Sequence, residues 1–497
     1  MKHPDVQALV YSAFAQLRHC RYLLLRVVDA DQARDWLRRA LDLNLVKGGD
    51  ELGDKVRFNE SLSMAFTYAG LRVLQPDLEA EAEFPFPSAF QEGMTEPARS
   101  AALGDHHVDS WRWADRDSGA HEAVHVLLAH FRDHPFATGV EAVAGILAPA
   151  ALQASGFAVV ELVDTCPSFI QHEAQGARIY EPFGFRDGLS QPFLREASRG
   201  TAADKQRRLL VGDELHEDTV VADGEFILGL PNEYGEPAYA PNAPRWPLRS
   251  QRPPRGRHFG SHGSYLAVRH IRQHADVFHA YDAAHPADDA GAPRAVEKMV
   301  GRRFDGRPLV TCPHVPPDAD AFRYRVDDAE GFQCPLGSHV RRGNPRDTLA
   351  WDVESGRASA KLHRLIRRAR VYTEGCTQAV YGRCGQHAGR GAHVEGANSP
   401  HAGPGGCGRG LFFIALNADF DRQFEFVQQR WVGNPRFADL ANENDPLMGG
   451  TGRPDFTAQS VSGGQRFTRI PPFTQLLGGG YFFLPGLAAL RFVAEPP

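Results

Sequence analysis

No run of about eighteen consecutive apolar residues occurs in the 497-residue chain, so a membrane-spanning helix is not expected. The start, Met1-Lys2-His3-Pro4-Asp5, enters mixed polar sequence without the apolar core or small-residue cleavage site of a secretory signal, and a cytoplasmic protein is expected. Cysteine is scarce. Seven residues, odd in number and dispersed, read as reduced thiols rather than a disulfide framework. Charge of one sign is not in excess either, since a net −6 gives no global reason to bind nucleic acid or a membrane. Short internal repeats are absent. What is present is an ordinary globular composition, 42% apolar and 23% charged, in a chain long enough for two or more sizeable cores.

The apolar pattern opens with Arg21-Tyr22-Leu23-Leu24-Leu25-Arg26-Val27-Val28, dense enough for a buried strand, and Asp29 to Asp31 offer helix caps behind it. Ala33, Trp36, Leu37, Ala40 and Leu41 then recur on one helical face, with Arg34, Asp35, Arg38 and Arg39 opposite. Arg57 and Phe58 are expected in a short second strand and Leu62 to Leu71 in an apolar helix, the beginning of a ferredoxin-like unit. Another helix is expected over His121 to Phe131, and strands over Gly156 to Val163, Ser264 to Ile271, Leu411 to Leu416 and Tyr481 to Leu484. A helix from Asp419 to Trp431 would bury Phe420, Phe424, Val427 and Trp431. Proline- and glycine-rich sequence marks a boundary, giving an N-terminal domain over 1–230, an irregular connection over 231–262 and a C-terminal domain over 263–497.

Chemistry gathers in two stretches. Cys334-Pro335-Leu336-Gly337-Ser338-His339-Val340-Arg341-Arg342-Gly343-Asn344-Pro345-Arg346-Asp347 sets one histidine between turn residues and arginines, and an imidazole so held can face a metal without competing with a packed helix face. Phe183-Gly184-Phe185-Arg186-Asp187-Gly188-Leu189-Ser190-Gln191-Pro192 places an acid in a glycine-bounded turn. From Arg341 to Arg370 there are nine Arg or Lys against three Asp or Glu, so this segment is basic in an acidic protein. It suits either a solvated face or a cationic lining for an anionic group.

Together these stretches resemble the dye-decolourising peroxidase family, in its longer-chain subgroup. The family's Gly-x-x-x-Asp-Gly signature is matched by Gly184, Asp187 and Gly188, and its ligating histidine segment by Cys334 to Arg342. Gly263-Ser264-Tyr265-Leu266, Arg422-Gln423-Phe424-Glu425-Phe426-Val427-Gln428 and Gly478 to Gly486 extend the likeness nearly end to end. The resemblance implies an α+β fold of two ferredoxin-like domains, with antiparallel sheets and peripheral helices of the dimeric α+β barrel type. It places the pocket mainly in the C-terminal half, for haem b, iron protoporphyrin IX.

It also implies a peroxidase that reduces hydrogen peroxide and oxidises dyes, phenols or other donors through a ferryl intermediate. In that chemistry His339 is the axial iron ligand, and its other ring nitrogen should donate to a carboxylate. Glu425 is the choice, with Asp419 and Asp421 as rivals. Asp187 is the distal acid–base group and Arg367, in the register set by the following aromatic, the distal cation. Leu411 and Phe413, two apart on one strand face, wall the distal pocket, and Arg342 pairs with a propionate. Partners are then hydrogen peroxide and a small reducing substrate, without nucleic acid or membrane, and a homo-oligomer is left open. Trp351 and Trp431 are candidate electron relays.

Three alternatives stand beside this reading. A non-enzymatic haem carrier or sensor shares His339 but has no use for Asp187 with Arg367. Nucleic-acid binding by the 341–370 block lacks interleaved aromatics. Cys376, Cys384 and Cys407, with His387, His393 and His401, could compose a zinc site, but their intervals fit no usual short motif, and a surface loop over 385–408 is expected instead.

Overall fold

In a computed structural model the described residues are 2–52, 58–78, 84–105, 107–136, 144–165, 170–173, 176–243, 258–287, 289, 291–312, 316, 319–374, 408–448 and 454–497. The fold is organised by one ten-stranded sheet. Its strands are β1 (His19–Val27), β2 (Glu60–Phe66), β3 (Trp113–Ala114), β4 (Val126–Arg132), β5 (Phe157–Asp164), β6 (Ser264–Gln273), β7 (Ile366–Arg367), β8 (Arg370–Glu374), β9 (Gly408–Asn417) and β10 (Thr474–Leu484). They run in the order β7-β9-β6-β10-β2-β4-β1-β5, with β8 also paired to β9 and β3 to β10. Each half, β1-β2-β4-β5 and β6-β7-β9-β10, lays its strands down second, third, first, fourth, with antiparallel pairing inside each half. This is the ferredoxin-like order, used twice. The halves join where Phe483 of β10 faces Phe66 of β2. At the far ends β5 and β8 touch, but the only backbone bridge between them among the described residues is the isolated pair Thr165 and Tyr372, so the sheet is not a closed barrel.

Two expected helices are strands. Leu62 to Phe66 belongs to β2, and the helix starts only at Tyr68, where the Thr67 hydroxyl caps Gly70 N at 3.1 Å. The stretch His121 to Phe131 ends in β4, buried at every position. In β2 the strand period is present, Ser61 and Ser63 alternating with Leu62, Met64 and Phe66, whereas β4 opens on the unbroken apolar run Val126 to Ala129, whose period separates strand from helix poorly. Phe58 lies outside any strand and Arg57 outside the described residues. The helix expected over Asp419 to Trp431 is shorter, Phe424–Phe426 followed by a π-helical turn Val427–Val432, yet Phe420, Phe424, Val427 and Trp431 are all buried.

Helix α1 (Ala30–Asp42) starts where Asp29 accepts from Gln32 N at 3.0 Å, and it buries Ala33, Trp36, Leu37, Ala40 and Leu41 on one sheet face. Each of the larger side chains contributes about 1.5–3 kcal/mol by leaving water. Arg34, expected on the polar side, is buried and donates to Leu74 O at 2.7 Å, joining α1 to α2 (Tyr68–Leu74).

Every strand of the first half ends before residue 231 and every strand of the second begins after 263, but packing crosses that line. The C-terminal helix Leu487–Val493 lies against α1, and Gln75 Nε2 donates to the Glu495 carbonyl at 2.6 Å. Within the 231–262 connection Ala238, Ala240, Ala243 and Phe259 enter the core. Among the described residues no helix is long and apolar enough to cross a membrane. The proposed zinc residues and most of the 385–408 loop lie outside the described residues.

Candidate active site

The sheet face that carries α1 in the first half is open in the second, where Arg269, Ile271 and Gln273 of β6 and Leu411 and Phe413 of β9 line a cavity of about 440 Å³. On β9, Phe412 and Ile414 point into the opposite core and are fully buried, which leaves Leu411 and Phe413 half-buried on the cavity side. His339, Asp187 and Arg367 also line this space. Such a volume falls in the range of small-molecule sites, about 300–1,000 Å³.

His339 opens a short helix, α3 (His339–Gly343), directly behind the turn that carries Pro335 and Gly337, and this entry sets the direction of its ring. Its Nδ1 donates to Asp445 Oδ2 at 2.9 Å, while Asp445 Oδ1 accepts from Leu447 N and Met448 N, both at 2.8 Å. The imidazole keeps 36% of its side-chain surface open and Asp445 keeps none, so Nε2 is the nitrogen available to the cavity. Burial alone would lower the imidazole pKa, but the Asp445 carboxylate outweighs it and the net direction is upward. Burial likewise works to raise Asp445, and its contacts with His339 win, holding it below the usual carboxylate range.

The carboxylate at His339 is therefore Asp445 and not Glu425. Glu425 accepts from Arg99 Nη1 at 2.5 Å and from the Tyr481 hydroxyl at 2.6 Å, and neither Asp419 nor Asp421 reaches the imidazole. Arg342 also departs from expectation. Its fully buried guanidinium donates to the carbonyls of Gly337 (3.1 Å), Trp431 and Asn434 (2.8 Å each) and Glu443 (2.5 Å), which spends its donors and ties α3 to the loop bearing Asp445. It clamps the histidine's support and does not line the cavity.

Asp187 is carried by a turn that Gly184 and Gly188 permit, with φ of 95° and 78°. The turn docks on β7. Gln191 Oε1 accepts from Arg367 N at 3.1 Å and Gln191 Nε2 donates to Arg367 O at 3.3 Å, while the Arg367 guanidinium donates to Leu189 O. This brings together an acid and a guanidinium 180 positions apart in the chain. Burial lowers the Arg367 pKa and the Asp187 charge opposes that shift. Arg368, the neighbouring register, is committed to Leu9 O (2.8 Å) and Val10 O (2.6 Å).

The basic block is largely internal. Arg302 and Arg346 share Asp320, at 2.8 and 3.1 Å, whereas Arg364 in the same wall donates only to Ser190 O at 3.0 Å among the described residues. Burial, with Arg346 and Arg367 nearby, pushes Arg364 down to about 9. The Asp320 charge reaches Arg364 without a hydrogen bond between them, and a buried guanidinium held only by a carbonyl favours an anion beside it. An imidazole nitrogen facing the space, apolar walls including Leu365, Val432 and Met448, and this spare guanidinium fit an iron porphyrin with carboxylate side chains. Sequence reasoning missed Asp445, Arg364 and Arg346, although the last two lie in the basic block. Trp351 is 88% exposed and Trp431 is buried against His363 and Phe426. Cys20, Cys312 and Cys334 are free thiols among the described residues.

No family model matches the chain. It is 31% identical over 251 residues to the multifunctional dye peroxidase DyP2 of Amycolatopsis sp., covering 46% of this chain and 48% of that protein. It is 24% identical over 459 residues to peroxidase 2 of Mycetinis scorodonius, covering 87% and 76%. The alignments to DyP2 and to the dye-decolorizing peroxidase msp1 of Mycetinis scorodonius span about half the length of those proteins. The crystal structure of a decolorizing peroxidase from Auricularia auricula-judae superposes with a TM-score of 0.67 at 20% identity, covering 99% of both chains, which establishes the shared fold. The chain is thus similar in sequence and in fold to dye-decolorizing peroxidases.

Proposed function

We propose that the chain is a cytoplasmic haem b peroxidase that reduces hydrogen peroxide and oxidises dyes, phenols or similar small donors. The observation carrying this reading is that His339, Asp187 and Arg367, distant in sequence, line one cavity. His339 would hold the iron through Nε2, with Asp445 keeping the imidazole oriented and basic. Arg364 and Arg346 would face the porphyrin carboxylates. The bound group supplies the redox chemistry: two electrons to peroxide, returned one at a time by donors.

The chain supplies proton handling and selection. The Asp187 carboxylate, with Arg367 beside it, accepts a proton from hydrogen peroxide and returns it to the departing oxygen, so that water leaves. The Arg367 guanidinium balances the negative charge that develops as the peroxide bond breaks. Leu411 and Phe413 restrict the approach to molecules about the size of peroxide. Larger donors deliver electrons at the surface, where Trp351 is exposed.

With haem added, wild-type protein should show a Soret band and oxidise a phenol or dye when peroxide is supplied. Arg367→Ala should keep the band and react with peroxide roughly 10²–10³-fold more slowly, the loss expected for one preorganised donor. A haem-loaded wild type that consumes no peroxide would overturn this reading in favour of a carrier or sensor.

A further inference from the structure

Six residues before Asp187, and in the same cavity wall, Glu181 has no part in the chemistry so far. Its carboxyl group is engaged on three sides. Oε2 accepts from Phe183 N at 2.9 Å and from Gln273 Nε2 at 2.6 Å, and Oε1 accepts from Phe185 N at 2.8 Å. Its backbone closes the same turn, through Glu181 N to Phe185 O at 3.0 Å and Gly184 N to Glu181 O at 2.8 Å. The Asp187-bearing loop is thus wound around this carboxyl group.

Gln273, on β6, answers it in a particular way. Its Oε1 is buried with no hydrogen-bond partner among the described residues, while its Nε2 donates to Glu181. A neutral Glu181 would carry an O–H, and a flipped Gln273 amide would present that idle oxygen to it at the same separation. The pair can therefore satisfy itself in either protonation state, donor and acceptor exchanging roles. The charged group acting on it is Asp187 on its own turn; the other charged or titratable groups lining the same cavity are Arg186, Arg269, Arg302, Tyr324, His339, Arg346, Arg364, Arg367, Arg368 and Arg370, and His279 bonds the adjacent Pro182 backbone. Burial is the largest influence and pushes the Glu181 carboxyl up to about 7, with the Asp187 charge adding to the rise against the turn amides and Gln273.

We infer that Glu181 is a positioning residue for Asp187, fixing where that carboxylate stands in the cavity, and that ionisation of the Glu181–Gln273 pair gives the peroxide-consuming step a second pH dependence. This rests on the peroxidase reading above. Glu181 need not touch substrate; it acts through the turn.

The test compares haem-loaded wild type, Glu181→Gln and Gln273→Met across pH 4 to 9, reading kcat/KM for peroxide and, separately, the melting temperature. Glu181→Gln should keep its Soret band and its KM for the reducing substrate. It should lose roughly ten- to a hundredfold in kcat/KM for peroxide through misplacement of Asp187, and lose the ionisation near 7 from the profile. The melting temperature supplies the readout that activity cannot. A carboxyl raised from 4.5 to about 7 on folding stabilises below the lower value and loses that contribution as pH rises through the higher one. The melting temperature of wild type relative to Glu181→Gln should therefore fall between pH 4.5 and 7. In Gln273→Met the step should move upward, because a hydrogen bond favouring the carboxylate is gone. Wild-type turnover with profiles and melting curves that superimpose across all three proteins would overturn the proposal for Glu181 alone. A wild type that consumes no peroxide would instead overturn the functional reading on which it stands.

Discussion

On the sheet face that carries Leu23, Leu25, Leu62 and Met64, the N-terminal half is roofed by α1, whose Trp36 and Leu37 complete a dry core. The same face of the C-terminal half begins alike, with Tyr265 and Ala267, but continues into Arg269, Ile271 and Gln273, which line the cavity, with Phe424 packing its ring over the Arg269 guanidinium at 5.2 Å. The strand order is the same and the cover is not. Where the first half stabilises itself by filling the space above its sheet, the second leaves that space for a ligand and rims it with charge. The cost is borne by neighbours such as Arg342, whose guanidinium is consumed by four carbonyls in holding α3 against the loop of Asp445. A repeated topology thus separates into a half that stabilises and a half that holds the site.

The contrast can be broken from either side. Leu37→Ala, in the roofed half, removes a fully buried side chain and should lower stability by about 2–5 kcal/mol, measured by denaturant unfolding, with little change in haem uptake. Asp445→Asn, at the support of His339, should weaken haem binding by roughly 10- to 100-fold, read by spectrophotometric titration, because the imidazole loses its anionic acceptor. Leu411→Ala, half-buried on the open half, should change stability by less than about 1 kcal/mol and show itself instead as oxidation of bulkier donors inside the cavity. Equal stability losses from Leu37→Ala and Leu411→Ala would remove the distinction between the halves.

How much of this was legible depended on whether a residue's partner was local. His339, Asp187 and Arg367 each sit in a dense motif, and the structure brings them to one cavity. The strands with polar or glycine boundaries, such as Leu411 to Leu416, were readable; β4 opens on an apolar run without a clear period, and β2, whose Ser61 and Ser63 alternate with Leu62, Met64 and Phe66, was hidden because its apolar pattern runs on into the helix that starts at Tyr68. Glu425 looked like the histidine's partner because it lies in a conspicuous motif, but Arg99, 326 residues away, claims it. Asp445, in the unremarked run Glu443-Asn444-Asp445-Pro446, reaches His339 because Arg342 fixes the loop at Glu443 O and amides of Leu447 and Met448 fix the carboxylate. Nothing periodic in the sequence encodes a pairing made by two loops 106 residues apart. The basic block read as ambiguous for the same reason, since the carbonyls that occupy Arg342 and Arg368 belong to distant segments.

The central claim is that one nitrogen of His339 grips an iron porphyrin in the C-terminal half. The most direct check is the absorption spectrum of purified protein after equimolar haem and removal of the excess, wild type beside His339→Ala. The account predicts a Soret band characteristic of histidine-ligated iron in the wild type and its loss in the variant. Identical bands in both, or none in either, would contradict it.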